Sequence, residues 1–314
     1  MIRVLDGIDA FIDQLTSVHP FPLFLAVLAH LTRLACTSTA WRNVLAAAYP
    51  EQRVRRLPIF GAYLAGVGVN AVIPVRAGDA VRVVLAHRAI PKSTYTTVVS
   101  SSFVLMFFDL FAASCLLAWA ALTQHALPPV GRLPDLPTFD FAWLFDRPKV
   151  AETVIGLLIL ALLLFLYWAK DHIVNFWGRI RQAFTVVRTP TRYLRTVALW
   201  QALDWTFRLV TIWLLLDAFG LPQTVRNALL VQVSASLATS LPLTPAGIGT
   251  EQAFLLYVLH GAVASSKLLA FSVGMKLTIV TTNVIAGFAA IYLSLKTVRY
   301  SRALETAEHG SQST

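Results

Sequence analysis

Long apolar runs dominate the chain, and each approaches or exceeds the roughly 20 residues that an α-helix needs to cross the hydrocarbon core of a bilayer. These runs cover residues 22–47, 94–122, 150–169, 196–219 and 267–295. In lipid every backbone polar group must be satisfied within the protein, which leaves helices and closed barrels as spanning structures. The pattern therefore predicts an all-α polytopic membrane protein.

Two short segments interrupt this pattern with prolines, glycines and a final acidic residue. The first is Ile73-Pro-Val-Arg-Ala-Gly-Asp79, and the second is Leu241-Pro-Leu-Thr-Pro-Ala-Gly-Ile-Gly-Thr-Glu251. Irregular backbone at membrane depth is tolerated only where it is buried in protein or lines a cavity. We therefore predict two broken hairpins, either re-entrant or made of paired short spans, with breaks at Pro74, Gly78, Pro242, Pro245, Gly247 and Gly249.

The same order of elements occurs twice along the chain. A helix, a broken hairpin and a second helix lie on each side of one linking helix, which predicts an inverted repeat of the kind found in transporters. The membrane domain is expected at 21–296, between an interfacial segment at 1–20 and a cytoplasmic tail at 297–314. Its parts are repeat one (21–122), an extracytoplasmic loop (123–149), the linking helix (150–169), a basic cytoplasmic loop (170–195) and repeat two (196–296).

Composition and charge support this class and suggest an orientation. Hydrophobic residues make up 57% of the chain and charged residues 13%, with a mean hydropathy of +0.66. The chain has 26 Lys and Arg residues against 16 Asp and Glu residues. Most of the basic residues fall in 42–58, 88–93, 170–195 and after Leu295. Because basic loops face the cytoplasm, the C-terminus is expected there, and the net charge of +10 is expected to contact anionic head groups rather than nucleic acid.

Charged residues also occur inside the apolar regions, where each unpaired one costs at least about 2.5 kcal/mol on insertion scales. The bases are Arg33, Arg76, Arg82, Arg208 and Lys276, and the acids are Asp79, Asp109, Asp204 and Glu251. Mutual pairing for architecture alone is one interpretation. Asp204 and Arg208 are four apart on a helix and form a favourable local pair, and Asp79 and Arg82 are three apart. Arg33 has no local acid, so it needs a distant partner or an anionic ligand.

A new helix is expected after each break, with its N-terminal amides and positive dipole end directed into the protein, an arrangement that favours anions. Arginine side chains add planar donor forks suited to phosphate. We therefore predict a substrate-binding group of Arg33, Arg76, Asp79, Arg82, Arg208, Thr244 and Glu251. The alternative is that Asp79, Glu251 and Thr244 only cap these helices.

Four further polar residues are candidates for carrying a coupling proton or ion, because ionisable groups within membrane segments often mark transport pathways. They are Asp109, Asp204, Lys276 and Asn283. Asp109 is the only charge in Phe107-Phe-Asp-Leu-Phe111. A purely structural bond from Asp109 to Asn283 or Lys276 is the alternative.

At the two breaks the chain resembles the transmembrane region of lysylphosphatidylglycerol synthases, also called flippase-like integral membrane proteins. The first block, Leu-Pro-x-Arg-x-Gly-Glu-x-x-Arg, is matched by Pro74, Arg76, Gly78, Asp79 and Arg82, with Ile73 for leucine and aspartate for glutamate. The second block, Pro-x-x-Pro-x-Gly-x-Gly-x-x-Glu, is matched by Pro242, Pro245, Gly247 and Gly249, with Glu251 one residue earlier than this spacing places the glutamate in some relatives. The resemblance covers most of residues 20–296 and implies movement of lipids between leaflets, in the cytoplasmic membrane of a prokaryote. It also implies no aminoacylation, since the soluble synthase domain of those relatives is not found here.

Other classes of function find less support in the residues. No nucleophile elbow, phosphate-binding loop or zinc-protease motif is present, and Cys36 and Cys115 lie inside apolar runs, so neither an enzyme nor a metal or other cofactor is expected. His30 and His87 are isolated and more typical of helix contacts. Two alternatives to lipid transport stay open: an accessory or scaffold subunit for a lipid-modifying enzyme, and a secondary transporter of a small anion. The expected partners are anionic or phosphate-bearing membrane lipids, with a homo-oligomer or a lipid-synthesising enzyme as candidates.

Overall fold

The fold is given by a computed structural model that describes residues 18–73, 76–124, 178–240, 250–258 and 265–311. Its helices are α1 (Pro20–Ala48), α2 (Arg56–Val72), α3 (Ala77–Ala89), α4 (Tyr95–Gln124), α5 (Leu199–Ala218), α6 (Val225–Ser240), α7 (Thr250–Val258) and α8 (Ser265–Ser311). Short helical segments at Thr185–Arg188, Pro190–Tyr193 and Leu194–Ala198 precede α5. These ranges contain no strand, and the prediction of an all-α polytopic membrane protein is confirmed.

Three of the described helices are long and apolar enough to cross a membrane, at Pro20–Ala48, Tyr95–Leu122 and Lys267–Leu293. They correspond to three of the five predicted runs. A fourth run, 196–219, forms α5, whose Asp204, Arg208 and Asp217 lower its mean hydropathy. Large apolar side chains are exposed along one side of α4, including Phe103, Phe107 and Phe111, as expected for a surface in contact with lipid.

Several predicted features lie outside the described residues, and they stay predictions. They include nearly all of the interfacial segment 1–20, residues 125–149 of the predicted loop 123–149, the linking helix 150–169 and residues 170–177 of the basic loop. Residues 123 and 124 belong to α4. Most residues of the breaks are also outside, namely Pro74, Pro242, Thr244, Pro245, Gly247 and Gly249.

The first hairpin consists of α2 and α3, and its local geometry follows from the sequence. The residue before a proline is driven into extended conformation, and Ile73 ends α2 with φ −106° and ψ 110°. Arg76 then adopts left-handed geometry, with φ 54° and ψ 27°, immediately before α3. The two arms touch closely, because a Cβ on Gly66 would lie 2.7 Å from the Gly78 carbonyl oxygen.

Asn70 joins the end of α2 to the start of α3. Its Oδ1 accepts a hydrogen bond from the backbone N–H of Gly78 at 2.8 Å, and its Nδ2 donates to Asp79 Oδ1 at 3.2 Å. A free amide at the start of α3 is thereby satisfied by a side chain. The hairpin is therefore closed by both glycine contact and hydrogen bonding.

Contacts between distant elements place the two predicted units against each other. The first helices, α1 and α5, pack along each other, and the first hairpin packs through α2 against α8. The second hairpin pairs α6 with α7, and α6 also contacts α4. One apolar core surrounds Trp41, Leu45 and Ile59, and a second surrounds Leu215 and Phe271. The described helices follow the predicted order, while the linking helix and the inverted relation between the two units stay predictions.

The α2–α8 crossing predicts a strong steric effect at Gly287. A Cβ there would overlap the Gly68 backbone and lie 2.8 Å from the Leu64 carbonyl oxygen, whereas a Cβ on Gly178 meets nothing within 4 Å. Overpacking of this kind costs about 1–3 kcal/mol. We expect Gly287→Ala to lower the thermal unfolding midpoint in detergent by several degrees. The control Gly178→Ala should leave the midpoint unchanged, and equal midpoints for the two variants would contradict the close crossing.

Candidate functional site

A cavity of about 540 Å³ lies between six of the helices and the residue that precedes α3. This volume is within the usual range for ligand sites. Its polar and charged lining residues are His30, Arg33, Arg76, Asp109, Trp205, Arg208, Thr211, Gln232, Ser236 and Glu251. The remaining lining residues are apolar: Met106, Leu110, Ala113, Ile212, Val231, Ala235, Met275 and Ile279. The cavity lining therefore has a charged part and an apolar part.

Asp204 forms the centre of the charged part, although it lies behind the cavity wall with 1% of its side chain exposed. Its Oδ1 accepts hydrogen bonds from Arg33 Nε at 3.0 Å and from Thr37 Oγ1 at 2.7 Å. Its Oδ2 accepts one from Arg208 at 3.0 Å. One buried carboxylate thus serves two guanidinium groups, and both of those groups reach the cavity.

Helical periodicity explains why these four residues meet. Arg33 and Thr37 are one turn apart on α1, and Asp204 and Arg208 are one turn apart on α5, so each helix presents two polar groups on one side. The packing of α1 against α5 then brings the two pairs together. Removing one member of a buried ion pair typically costs about 3–5 kcal/mol, so this cluster also contributes to the α1–α5 contact.

Trp205 connects Arg208 to Asp109. The guanidinium carbon of Arg208 lies 4.7 Å from the centroid of the Trp205 ring, a cation–π contact. The indole Nε1 donates a hydrogen bond to Asp109 Oδ1 at 2.9 Å. Asp109 is therefore joined to the arginine cluster through an aromatic ring rather than through an ion pair.

Glu251, at the start of α7, also belongs to the charged lining. Its Oε2 accepts a hydrogen bond from Lys276 Nζ on α8 at 2.8 Å. The Glu251 side chain is 11% exposed and the Lys276 side chain 37% exposed. This ion pair attaches the second arm of the second hairpin to α8.

Two other lining residues, His30 and Arg76, differ in their burial and in their hydrogen bonds. His30 is buried and hydrogen-bonded through Nε2 to Asn283 Oδ1 at 2.8 Å, which links α1 to α8. Arg76 is exposed at the turn of the first hairpin. Its side chain forms no hydrogen bond or ion pair with another described residue, so its charge is available to a ligand.

Asp79 and Arg82 were predicted to bind substrate, but neither lines the cavity. They form an ion pair at 3.5 Å, as their spacing predicts. Asp79 also accepts the hydrogen bond from Asn70, and the Arg82 guanidinium lies 5.5 Å from the centroid of the Trp41 ring. These contacts support the hairpin, which agrees with the architectural interpretation for this pair.

The structure brings five of the predicted residues to one cavity: Arg33, Arg76, Asp109, Arg208 and Glu251. The local pair of Asp204 and Arg208 is present, and the distant partner needed by Arg33 is the same Asp204. The suggestion that Asp109 bonds to Asn283 or Lys276 is wrong. Asp109 bonds to Trp205 instead, while Asn283 bonds to His30 and Lys276 bonds to Glu251.

The sequence-based prediction missed Trp205 and Thr37 at the arginine cluster, and it also missed four polar lining residues: His30, Thr211, Gln232 and Ser236. Trp205 is three residues before Arg208 on one helix, a spacing that places them as neighbours and could have indicated the stacking. Its bond to Asp109 spans 96 residues of sequence, and no local pattern points to it.

Part of the apolar lining lies along α4, and the rest comes from α5, α6 and α8. Met106 and Leu110 are one turn apart on α4, and both line the cavity while each remains 58% exposed. The side chains that form this wall therefore also reach the outer apolar surface of the helix bundle. The cavity consequently borders the exposed apolar side of α4.

The chain belongs to the family described as the lysylphosphatidylglycerol synthase TM region, whose model matches residues 2–287. The match covers most of the 314 residues and confirms the resemblance noted at the two breaks. No curated protein and no solved structure gave a significant match. Membership of this family associates the protein with lipid metabolism or lipid flipping in a membrane.

The ion pair between Glu251 and Lys276 predicts a specific stability difference. Lys276→Met leaves a buried carboxylate without its cation, so we expect a loss of about 1–3 kcal/mol in unfolding free energy, visible as a lower thermal midpoint in detergent. Lys267→Met removes the same charge from the same helix and should have little effect. Adding Glu251→Gln to Lys276→Met should recover part of the loss, and a double variant no more stable than the single one would argue against the pair.

Proposed function

We propose that this protein is a membrane lipid transporter of the flippase type, which moves a phospholipid or another polar-headed lipid between leaflets. The polar head would occupy the charged part of the cavity, between the two hairpins. The acyl chains would extend along the apolar wall formed by α4. Transport, rather than aminoacylation or other catalysis, is the activity proposed for these residues.

The observation that carries this proposal is the combination of three arginines and an apolar edge in one cavity. Arg33, Arg76 and Arg208 present guanidinium donors, and such forks match the oxygens of a phosphate group. Met106 and Leu110 extend from this cavity to the exposed surface of α4. A ligand that needs both environments at once is amphipathic, and a membrane lipid has that chemistry.

The same edge favours a lipid over a small soluble anion. A soluble substrate is best served by an enclosed aqueous vestibule, whereas a lipid needs a lateral opening to the bilayer. A scaffold subunit would need neither a cavity nor arginines with free donors. The apolar opening and the available charge of Arg76 therefore support transport over both alternatives.

Asp109, Glu251 and Lys276 are the groups that we propose for coupling to a proton or ion. Each lies in or directly behind the cavity lining, and each carries a charge that a passing head group would meet. Asp204 and Asn283 hold neighbouring side chains, and their proposed part in coupling is therefore indirect. The cytoplasmic membrane of a prokaryote is the proposed location, with the C-terminus in the cytoplasm.

Arg76 and Arg88 provide a matched test of the arginine lining. Both are exposed arginines of the first hairpin, at the start and in the last turn of α3, but only Arg76 lines the cavity. In liposomes containing a fluorescent phospholipid, we expect Arg76→Ala to slow lipid exchange between leaflets by about tenfold, the usual effect of losing one charge-assisted contact. Arg88→Ala should retain the wild-type rate. If wild type, both variants and protein-free liposomes exchange lipid equally, the proposed function is wrong.

Blocking the apolar part of the cavity provides an independent test. Ala113 lines the cavity on α4, whereas Cys115 is exposed on the same helix and does not. We expect Ala113→Trp to fill the space and reduce the exchange rate at least about tenfold, while Cys115→Trp, which places the same indole outside the cavity, leaves it near wild type. Both variants should first show wild-type thermal midpoints. Undiminished exchange by a folded Ala113→Trp protein would place the lipid path elsewhere.

A further inference from the structure

The cluster of Arg33, Asp204 and Arg208 contains two positive charges and one negative charge. Both oxygens of Asp204 are occupied, because Oδ1 bonds to Arg33 and Thr37 and Oδ2 bonds to Arg208. Among the described residues, no second carboxylate forms an ion pair with either arginine. One unit of positive charge in the cluster is therefore uncompensated.

Both arginines keep unused donors next to the cavity. Arg33 bonds Asp204 only through Nε, and Arg208 only through one terminal nitrogen. The Nε of Arg208 is buried and has no hydrogen-bond partner among the described residues. A guanidinium carries five N–H donors, so these two side chains can offer an anion several charge-assisted hydrogen bonds at once.

The other charges around the cavity do not change this balance. Glu251 is paired with Lys276, Asp109 lies within electrostatic range of Arg208 and Arg33, and Arg76 adds one further positive charge at the turn of the first hairpin. With all of these groups ionised, the cavity has an excess of one positive charge. A ligand that carries one negative charge would neutralise it, whereas a second negative charge would be left unpaired at a weakly solvated site, which is unfavourable.

We infer that Asp204 is a positioning and specificity-determining residue that matches the anion subsite of Arg33 and Arg208 to a single negative charge. The subsite then selects a phosphodiester, which carries one charge, over a phosphomonoester, which is a dianion well above its second pKa of about 6. The inference rests on the proposed function only in assigning the phosphodiester to a lipid. The same anion chemistry could come from a soluble phosphodiester.

A matched set of ligands tests the charge selection directly. Dihexanoyl phosphatidylmethanol and dihexanoyl phosphatidic acid differ by one methyl group, and at pH 8 they differ by one charge. Dimethyl phosphate supplies the diester without acyl chains. Binding of each to the purified full-length protein in detergent would be measured by calorimetry, independently of any transport assay.

We expect the wild-type protein to bind phosphatidylmethanol about tenfold more tightly than phosphatidic acid. Asp204→Asn keeps the side-chain shape but adds one net positive charge, so it should shift this affinity ratio by about tenfold or more towards phosphatidic acid. Asp217→Asn removes a carboxylate from the same helix away from the cavity and should keep the wild-type ratio. Should Asp204→Asn fail to fold, Arg208→Gln replaces it, and that variant should lose about tenfold in affinity for phosphatidylmethanol.

The outcomes separate this inference from the proposed function. If Asp204→Asn weakens both lipids equally, Asp204 is only structural and the inference is wrong. Wild-type affinity for phosphatidylmethanol in Arg208→Gln would overturn it as well. Lipid exchange in liposomes without discrimination between diester and monoester would overturn the inference and leave lipid transport standing. Dimethyl phosphate bound as tightly as phosphatidylmethanol would support the subsite but assign it to a soluble anion.

Discussion

The structure depends on the burial of one carboxylate, Asp204, between two arginines from different helices. A charge removed from water is stable only if it is paired and hydrogen-bonded. Asp204 meets this condition with three donors, two of them from α1 and one from its own helix. The two first helices of the predicted units are therefore joined by a polar contact whose members cannot be separated without leaving an unpaired charge. The position of both arginines at the cavity follows from this contact.

The cavity has two kinds of wall because different constraints act on its helices. α1 and α5 pack along each other, so the polar groups on their facing sides find partners in the protein. α4 has one side towards lipid, and only apolar side chains such as Met106 and Leu110 are stable on that side. Charged and apolar lining residues thus lie next to each other along α4. This junction gives the cavity an amphipathic character that neither wall would have alone.

Much of the fold could be predicted because the bilayer acts on each segment separately. The apolar runs at 22–47, 94–122 and 267–295 agree with α1, α4 and the apolar part of α8 within a few residues. The end of α2 at Val72 follows from the backbone restriction that Pro74 places on Ile73. The site was predicted less completely. Arg33, Arg76, Arg208 and Glu251 do line one cavity, but Asp79 and Arg82 serve the hairpin, where Asn70 and Trp41 are their neighbours.

The sequence by itself determined the class of protein, the helices at 22–47, 94–122, 196–219 and 267–295, the break that ends α2, and short-range pairs such as Asp204 with Arg208. These features depend on apolar length, proline restrictions and helical spacing, all of which act over a few residues. Only the tertiary structure decided which charges share a partner and which reach the cavity. Arg33 lies 171 residues from Asp204, and Asp109 lies 96 residues from Trp205. A buried charge needs a partner, but its identity depends on which helices pack together, and helix packing is a property of the whole chain.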